Sequence, residues 1–333
     1  MREYRFDVVR VVCMTYVVAY FHLSGYVYPH GLIGGCYSLS MALAHASLGL
    51  FTFVSGYLLG KKYKFGQYGD AGVWTFYKKR ILRVFPLFVL ASAALWLIGL
   101  NGARATLNGL LCISPFVNPV PMTLYYIPLI LWCYLVTPLL SRNGLRWRVL
   151  CGLSVFALLV VARILFPSID NRFVFNVSFY LAGIVSAPCF DWKFGSRYGK
   201  VFKSSAVLGF MVLVIAMLHS SVLKGAAGQM AIGVLGVFVI LFICEAISNL
   251  LFDNPITSQH GFKAIACRLV SLISYASMAC YMFHRFFYWA AEKIWNSADA
   301  TVKWFFMAGI VYPIILVLSY AIQKLYDNAV KRL

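Results

Sequence analysis

Acidic residues are scarce in this chain of 333 residues, with ten Asp and Glu against 29 Lys and Arg. All charged residues together make up 12% of the chain, whereas a soluble domain usually carries about 25%. Hydrophobic residues reach 62%. A soluble core cannot hide that excess, because about 55–60% of an ordinary folded surface is already apolar. The composition therefore excludes a soluble enzyme and a disordered chain, and it indicates a lipid bilayer as the solvent.

Paired cysteines are also lacking. The nine cysteines lie mostly inside apolar runs, and they form no Cys-x-x-Cys pair and no metal-ligand spacing. This pattern excludes a secreted disulfide-stabilised domain, and we expect neither a structural disulfide nor a metal. A net charge of +19 would suggest nucleic acid in a soluble protein. In a membrane protein, basic residues collect in cytoplasmic loops, so we expect no nucleic-acid partner.

Long apolar runs, in contrast, are abundant. A membrane-spanning helix needs about 20 mostly apolar residues. Ten runs in the sequence are candidates, namely residues 8–26, 40–60, 82–100, 122–141, 149–166, 173–189, 205–222, 228–248, 269–289 and 303–324. No linker or soluble appendage interrupts them, so the sequence predicts an all-α polytopic membrane protein with a single domain over residues 1–333.

The basic residues indicate an orientation. With the N-terminus inside, the segments on the inner side hold 22 of the 29 Lys and Arg residues, and the outer segments hold seven. Under the positive-inside rule, this bias places both termini in the cytoplasm and supports an even number of spans.

Two histidines lie at matching depths in different predicted spans. His22 is 14 residues after Val8, or about 21 Å along a helix, and His284 is 15 residues after Leu269, or about 22 Å. Ionisable groups inside the membrane are costly and are therefore functional candidates. Histidine suits proton abstraction from a hydroxyl because its ordinary pKa is close to neutral pH. The pair favours a site, although each histidine alone could be a hydrogen-bonded core residue.

Other ionisable residues have two readings. Arg10 lies near the cytoplasmic end of the first span, where it could extend to lipid phosphate or pair with Asp7 on the same helix face. At the outer ends, extension to the interface is a sufficient explanation for Arg163 and Arg285. Glu245 needs a basic partner at the inner mouth.

A basic cluster follows the second predicted span. Arg80 and Arg83 are three residues apart and share a helix face, and Lys79 lies beside them. Ordinary inner-loop topology explains the lysine. Two guanidinium groups on one face also suit bidentate phosphate binding. Before this cluster, Ser55 and Gly56 are small residues that let helix backbones approach closely.

Several segments together resemble the acyltransferase family 3 of integral membrane acyltransferases. Five stretches carry the resemblance, and they follow the family's order: Asp7-x-x-Arg10 with His22, Phe51-Thr-Phe-Val-Ser55-Gly56-Tyr57, Phe76-x-x-x-Arg80-x-x-Arg83-x-x-Pro86, Leu124-Tyr-Tyr-Ile-Pro128, and Ile273-Ser-Tyr275-Ala-Ser277 through Tyr281-Met-Phe-His284. Together they extend over nearly the whole chain.

The resemblance implies about ten spans in the inner (cytoplasmic) cell membrane. It also implies transfer of an acyl group, often acetyl, from cytoplasmic acyl-CoA to a sugar hydroxyl. The acceptor would be a polysaccharide or a lipid-linked or other cell-envelope glycan, and acyl-CoA would be the donor, with no permanently bound cofactor. Homo-oligomerisation stays open.

Site residues follow from the same resemblance. His22, Arg10 and His284 are the expected catalytic residues, with His22 as the base. The expected donor-binding residues are Arg80, Arg83, Lys79, Ser55 and Tyr57. A covalent acyl-histidine route and a different function, a transporter or flippase for a lipid-linked glycan, are alternatives.

The first span departs from the family pattern by one residue. Eleven residues separate Arg10 from His22, where the family usually has ten. At about 100° per residue, eleven steps nearly restore the same helix face, whereas twelve steps leave the two residues about 120° apart. Either a π-type bulge restores the alignment, or the two residues do not cooperate directly.

Overall fold

A computed structural model describes residues 4–27, 37–63, 69–141, 144–188, 208–216, 225–252, 262–297 and 299–331. Within these ranges the chain forms helices and no strand, which confirms the predicted all-α fold. In chain order the helices are α1 (Tyr4–Val27), α2 (Tyr37–Lys62), α3 (Gly69–Leu97), α4 (Ala103–Leu110), α5 (Tyr126–Leu140), α6 (Leu145–Leu165), α7 (Asn171–Ser186), α8 (Ala226–Phe252), α9 (Phe262–Ile294) and α10 (Ala300–Val330). Residues 208–216 are also helical.

Seven helices in the described part of the chain are long and apolar enough to cross a membrane, namely α1, α2, α3, α6, α8, α9 and α10. Three predicted spans are not among them. Helix α5 has 15 residues and α7 has 16, while the predicted span 205–222 is described only at residues 208–216. The count of about ten spans stays a prediction.

The chain divides into two compact units. One unit comprises Met1–Leu50 and Lys193–Leu333, and the other comprises Phe51–Trp192. The first unit therefore holds α1, the beginning of α2, and α8 to α10. The second holds the rest of α2 and α3 to α7. Each unit is described by itself, and the single domain over residues 1–333 stays a prediction.

In the first unit, α9 and α10 form an antiparallel pair. The Lys303 ammonium donates to the Glu292 carboxylate at 2.6 Å near the connection between them, and the Tyr275 hydroxyl donates to Asp327 near the opposite end. Helix α1 runs parallel to α9. Near its start the Ser274 hydroxyl donates to Asp7 at 2.6 Å, and near its end His22 contacts His284.

In the second unit, the backbones of α2 and α7 touch each other at two glycines. A Cβ atom built on Gly56 would collide with the Tyr180 carbonyl, and one built on Gly183 would collide with the Phe53 carbonyl. The sequence prediction that Gly56 permits close helix packing is therefore confirmed. Gly183 supplies the matching position on the partner helix.

Arg148 joins three helices of the second unit. Its side chain extends from the start of α6, and one guanidinium nitrogen lies 2.8 Å from the Gly60 carbonyl and 3.3 Å from the Ile184 carbonyl. Both carbonyls belong to the last turns of their helices, where backbone acceptors have no intrahelical donor and the helix dipole is negative. Arg148 is 4% exposed. This buried cation therefore has a structural role, which the count of basic residues on the two sides of the membrane does not reveal.

Candidate active site

The second half of α1 is not an ordinary α-helix. Residues Tyr16–His22 form a π-helical segment between two α-helical stretches. A π turn contains one residue more than an α turn. The twelve steps from Arg10 to His22 therefore act like about eleven steps of α-helix, which leaves the two residues about 20° apart around the axis. The structure therefore contains the bulge that was one of the two alternatives left open by the sequence. The two residues nevertheless lie too far apart along the axis to contact each other, as the second alternative stated.

His22 at the end of this segment forms a direct pair with His284 of α9. The Nδ1 atom of His22 lies 2.8 Å from Nε2 of His284. The planes of the two imidazole rings are parallel to within 1°, and their centroids are 4.8 Å apart. The depth calculation placed both histidines at the same level, and the structure brings them into hydrogen-bonding contact.

The remaining nitrogen of His284 determines how protons are distributed over the pair. His284 Nδ1 lies 2.7 Å from the Tyr281 carbonyl and 3.2 Å from the Cys280 carbonyl. A carbonyl only accepts, so Nδ1 of His284 carries the hydrogen and Nε2 of a neutral His284 accepts. His22 Nδ1 then donates to it. This arrangement leaves Nε2 of His22 with a free lone pair, which is what a general base needs.

The two histidines differ in accessibility. His284 is fully buried, whereas His22 is partly exposed. Tyr288, also fully buried, contacts both His284 and the π segment. Its ring meets His284 edge-on at 6.2 Å, and its hydroxyl donates to the Val18 carbonyl in the π segment at 3.4 Å. His22 is therefore the member that can meet a substrate, and His284 holds it in place.

A second π segment, Met307–Val311, lies in α10. Thr15, which precedes the π segment of α1, contacts Tyr312, which follows that of α10, with 2.9 Å between their hydroxyl oxygens. The Tyr312 hydroxyl also lies 3.7 Å from the Met14 sulfur. Such segments are frequent at functional sites. Here one contains His22, and the residue after the other contacts the same helix.

Arg10 does not join the histidine pair. It lies twelve residues before His22, or roughly 18 Å along the helix axis, and it pairs with Asp7 at 3.4 Å. Asp7 is 4% exposed and also accepts the Ser274 hydroxyl. Arg10 therefore belongs to a polar cluster at the start of α1 and α9, and its catalytic role stays a prediction.

In the second unit, the two predicted phosphate-binding arginines differ in their surroundings. The Arg80 guanidinium is half-buried and lies within 6 Å of the ring centroids of Tyr63, Phe76 and Tyr134. Arg83 is exposed. Aromatic faces attract a cation without neutralising it, so Arg80 keeps its full positive charge at a fixed position.

A cavity of about 340 Å³ lies beside Arg80 in this unit. Its walls are mainly apolar and aromatic, with Phe85, Leu131 and Tyr134 among them. The Nε–H of Arg80 is buried and has no hydrogen-bond partner among the described residues. The arrangement suits an elongated, weakly polar chain that ends in an anionic group.

The other predicted donor-binding residues are less favourably placed. Lys79 is exposed. The Ser55 hydroxyl donates to the Phe51 carbonyl of its own helix at 2.9 Å. Tyr57 is 1% exposed, and its ring packs against Phe53 with centroids 6.5 Å apart. In this conformation Ser55 and Tyr57 serve the helix packing, and their contact with a donor stays a prediction.

Metal ligands do not cluster in the part of the chain that the structure describes. No three His, Cys, Asp or Glu side chains there lie close enough together to hold a metal ion.

The structure places beside the two histidines a further cation, to which the sequence analysis gave no role in the site. Arg285 follows His284 directly and interacts electrostatically with both imidazoles. The signal available in the sequence was that Arg285 directly follows His284. Its place at the outer end of a predicted span favoured the other interpretation, that its side chain extends to the interface.

The membrane-length helices define a multi-pass membrane protein, and the histidine pair lies within its spans. A comparison with protein families matches residues 3–324 to the acyltransferase domain of acyltransferase family 3. The match covers nearly the whole chain, so the chain belongs to this family and is an acyltransferase. No curated protein matches the chain. No solved structure matches it either.

Proposed function

We propose that this protein is an O-acetyltransferase of the inner membrane. It moves an acetyl group from cytoplasmic acetyl-CoA to a sugar hydroxyl of a cell-envelope glycan. The observation that carries the proposal is the hydrogen-bonded pair of His22 and His284, because it leaves one accessible imidazole lone pair inside a membrane protein of an acyltransferase family. A general base of this kind is what a hydroxyl needs when it attacks a thioester.

In the proposed reaction, His22 Nε2 takes the proton of the acceptor hydroxyl as its oxygen attacks the thioester carbonyl carbon. His284 accepts from His22 Nδ1 throughout, and the Tyr281 carbonyl keeps His284 in the required tautomer. Fixing the imidazole in one orientation reduces the reorganisation that accompanies proton transfer. The tetrahedral intermediate then expels the CoA thiolate, which takes from His22 the proton that came from the acceptor hydroxyl.

The donor is expected to bind through its phosphates at Arg80 and Arg83, with Lys79 at the edge. The apolar cavity beside Arg80 has room for part of the pantetheine arm. The acceptor would approach from the outer side, where we expect the segments 29–39 and 101–121 to contribute to its recognition. Residues 28–36 lie outside the described residues, whereas residues 101–121 include α4.

The function is tested with inside-out membrane vesicles that contain the chain and its native glycan. Radiolabelled acetyl-CoA is added to the medium, and we expect alkali-labile label in the glycan fraction together with release of CoA. Vesicles carrying His22→Ala are the control and should show background label. Glycan that crosses the membrane while acetyl-CoA is not consumed would instead identify a flippase.

The donor site is tested through Arg83→Ala. An ionic hydrogen bond contributes about 1.5–3 kcal/mol, so we expect acetyl-CoA to bind roughly tenfold or more weakly, as measured by calorimetry in detergent. Arg83 is exposed, so thermal stability should not change. Arg80→Ala should weaken binding similarly. It should also lower stability, because it removes the guanidinium that packs against three aromatic rings.

Two controls make the donor prediction specific. Arg146 is an exposed arginine of the same unit, and Arg146→Ala should leave acetyl-CoA affinity unchanged. Acetyl-pantetheine lacks the nucleotide phosphates, so its affinity should be the same in wild type and Arg83→Ala. Equal losses for acetyl-CoA and acetyl-pantetheine would contradict a phosphate-binding role.

A further inference from the structure

Arg285 lies beside the histidine pair, at the end of α1 that is nearer the predicted outer side. Its guanidinium lies over the ring of Tyr26, 5.1 Å from the centroid, and Tyr26 is one helical turn beyond His22. The Tyr26 hydroxyl donates to the Arg285 carbonyl at 3.3 Å. These contacts hold Arg285 between α1 and α9 on the outward side of His22.

The guanidinium of Arg285 has an unused donor. Its Nε–H is buried and has no hydrogen-bond partner among the described residues. A side chain that merely extended to the interface would place its polar atoms in water or among lipid headgroups. A buried donor left unpaired costs free energy, and a donor of this kind beside His22 is available to a group that is present only during the reaction.

Arg285 also forms no ion pair with any carboxylate among the described residues. Ion pairs among the described residues include Arg10 with Asp7, Arg172 with Asp170, and Lys303 with Glu292. Glu292, the single acidic residue of α9, is thus engaged by Lys303 at 2.6 Å. Arg285 is therefore a cation beside His22 that forms no ion pair with a described carboxylate in the resting protein.

The proposed reaction generates the missing negative charge. When the acceptor oxygen bonds to the thioester carbon, the π electrons of the carbonyl move onto its oxygen, and the proton goes to His22 Nε2. The site then holds an imidazolium and Arg285, two cations that interact electrostatically. An oxyanion beside both of them offsets their repulsion, and donors fixed in advance stabilise that charge most effectively.

We propose that Arg285 is the catalytic residue that stabilises the oxyanion of the tetrahedral intermediate, with its buried Nε–H donating to the former carbonyl oxygen. This inference rests on the proposed acetyl transfer from acetyl-CoA. On collapse, the oxyanion electrons re-form the carbonyl, the carbon–sulfur bond breaks, and the thiolate takes the proton from His22. Arg285 then returns to its unpaired state.

Two ketone analogues of acetyl-CoA test this inference without knowledge of the acceptor. Acetonyl-CoA occupies the donor site as an uncharged ketone, whereas trifluoroacetonyl-CoA readily forms a neutral hydrate. This hydrate becomes an oxyanion when His22 takes one of its hydroxyl protons. We expect wild type to bind the trifluoromethyl ketone much more tightly than the methyl ketone. Arg285→Met should weaken binding of the trifluoromethyl ketone roughly 100-fold or more, the usual effect of removing one oxyanion donor, and should change acetonyl-CoA binding less than about twofold.

The matched control is Lys293→Met. Lys293 is another cation of α9 that lies over an aromatic ring, 6.0 Å from the Trp289 centroid, and it is exposed. Its replacement should leave both affinities unchanged. If Arg285→Met does not fold, Arg285→Lys provides the test. It retains the charge but has no Nε–H at that position, so we expect about a tenfold loss for the trifluoromethyl ketone alone.

The outcomes separate this inference from the proposed function. If wild type binds neither ketone, acetyl-CoA is not the donor and the proposed function is wrong. If wild type prefers the trifluoromethyl ketone and the Arg285 variants keep that preference, the function stands and the inference about Arg285 is wrong. A loss confined to the acceptor KM in the vesicle assay, with ketone preference intact, would assign Arg285 to an anionic group of the acceptor and would also overturn it.

Discussion

His22→Ala is expected to abolish most acetyl transfer while the protein still folds and binds its donor. General base catalysis contributes roughly 100- to 10,000-fold to a rate, and His22 is the partly exposed member of the pair with a free lone pair. We therefore expect kcat to fall by at least about 100-fold in the vesicle assay. Acetyl-CoA affinity, measured by calorimetry, should stay within about twofold of wild type, since the variant removes a group that acts in the transition state.

Tyr20→Phe is a suitable control for this variant. Tyr20 lies in the same π segment, and its buried hydroxyl makes no hydrogen bond with the residues that the structure describes. The change should leave turnover near the wild-type value and show that substitutions in the segment are tolerated. Wild-type turnover in a well-inserted His22→Ala protein would remove His22 from the mechanism.

Gly183→Val is expected to prevent normal folding of the second unit. A Cβ atom at this position would collide with the Phe53 carbonyl and come within 2.8 Å of the Tyr57 backbone nitrogen. Backbone atoms of a membrane helix cannot move aside without separating α2 from α7. Overpacking usually costs about 1–3 kcal/mol, and we expect at least the upper value here, seen as aggregation or a lowered Tm in size-exclusion and thermal-shift measurements.

The control for this prediction is Gly102→Ala in the same unit. Gly102 is exposed, its φ of −69° suits any residue, and an added Cβ would meet nothing within 4 Å. Elution and Tm should therefore match those of wild type. A Gly183→Val protein that is monodisperse and melts like wild type would mean that α2 and α7 are not in backbone contact.

The sequence predicted the class of fold because the bilayer imposes a simple rule on composition. Apolar runs of sufficient length become helices, and the runs at 8–26, 40–60, 228–248 and 269–289 coincide with α1, α2, α8 and α9. Boundaries were less predictable. The predicted spans 122–141 and 173–189 correspond to helices of 15 and 16 residues. Hydropathy does not show where a helix ends when the residues beyond its end are also apolar.

The site was predictable in its residues and not in its contacts. Helix rise alone placed His22 and His284 at the same depth, and the extra residue between Arg10 and His22 indicated a bulge as one alternative. Neither argument could show that Tyr281 fixes the tautomer. The pairing of Arg10 with Asp7 was one of two alternatives that the sequence left open, and the structure contains it. Arg148 and Arg285 resembled the basic residues that flank any membrane span. The prediction of spans gives the charge and depth of such residues but no information about their neighbours.

What this sequence determined by itself is a helical membrane protein with two histidines at one level, since helix length, helix rise and the cost of buried charge depend only on residue order. Which side chains meet was decided by the packing of α1 against α9 and of α2 against α7. Those contacts depend on how helix faces are rotated and how closely backbones approach. A single π turn or a pair of glycines changes both, so tertiary structure assigned the proton positions at His22 and left the donor of Arg285 unpaired.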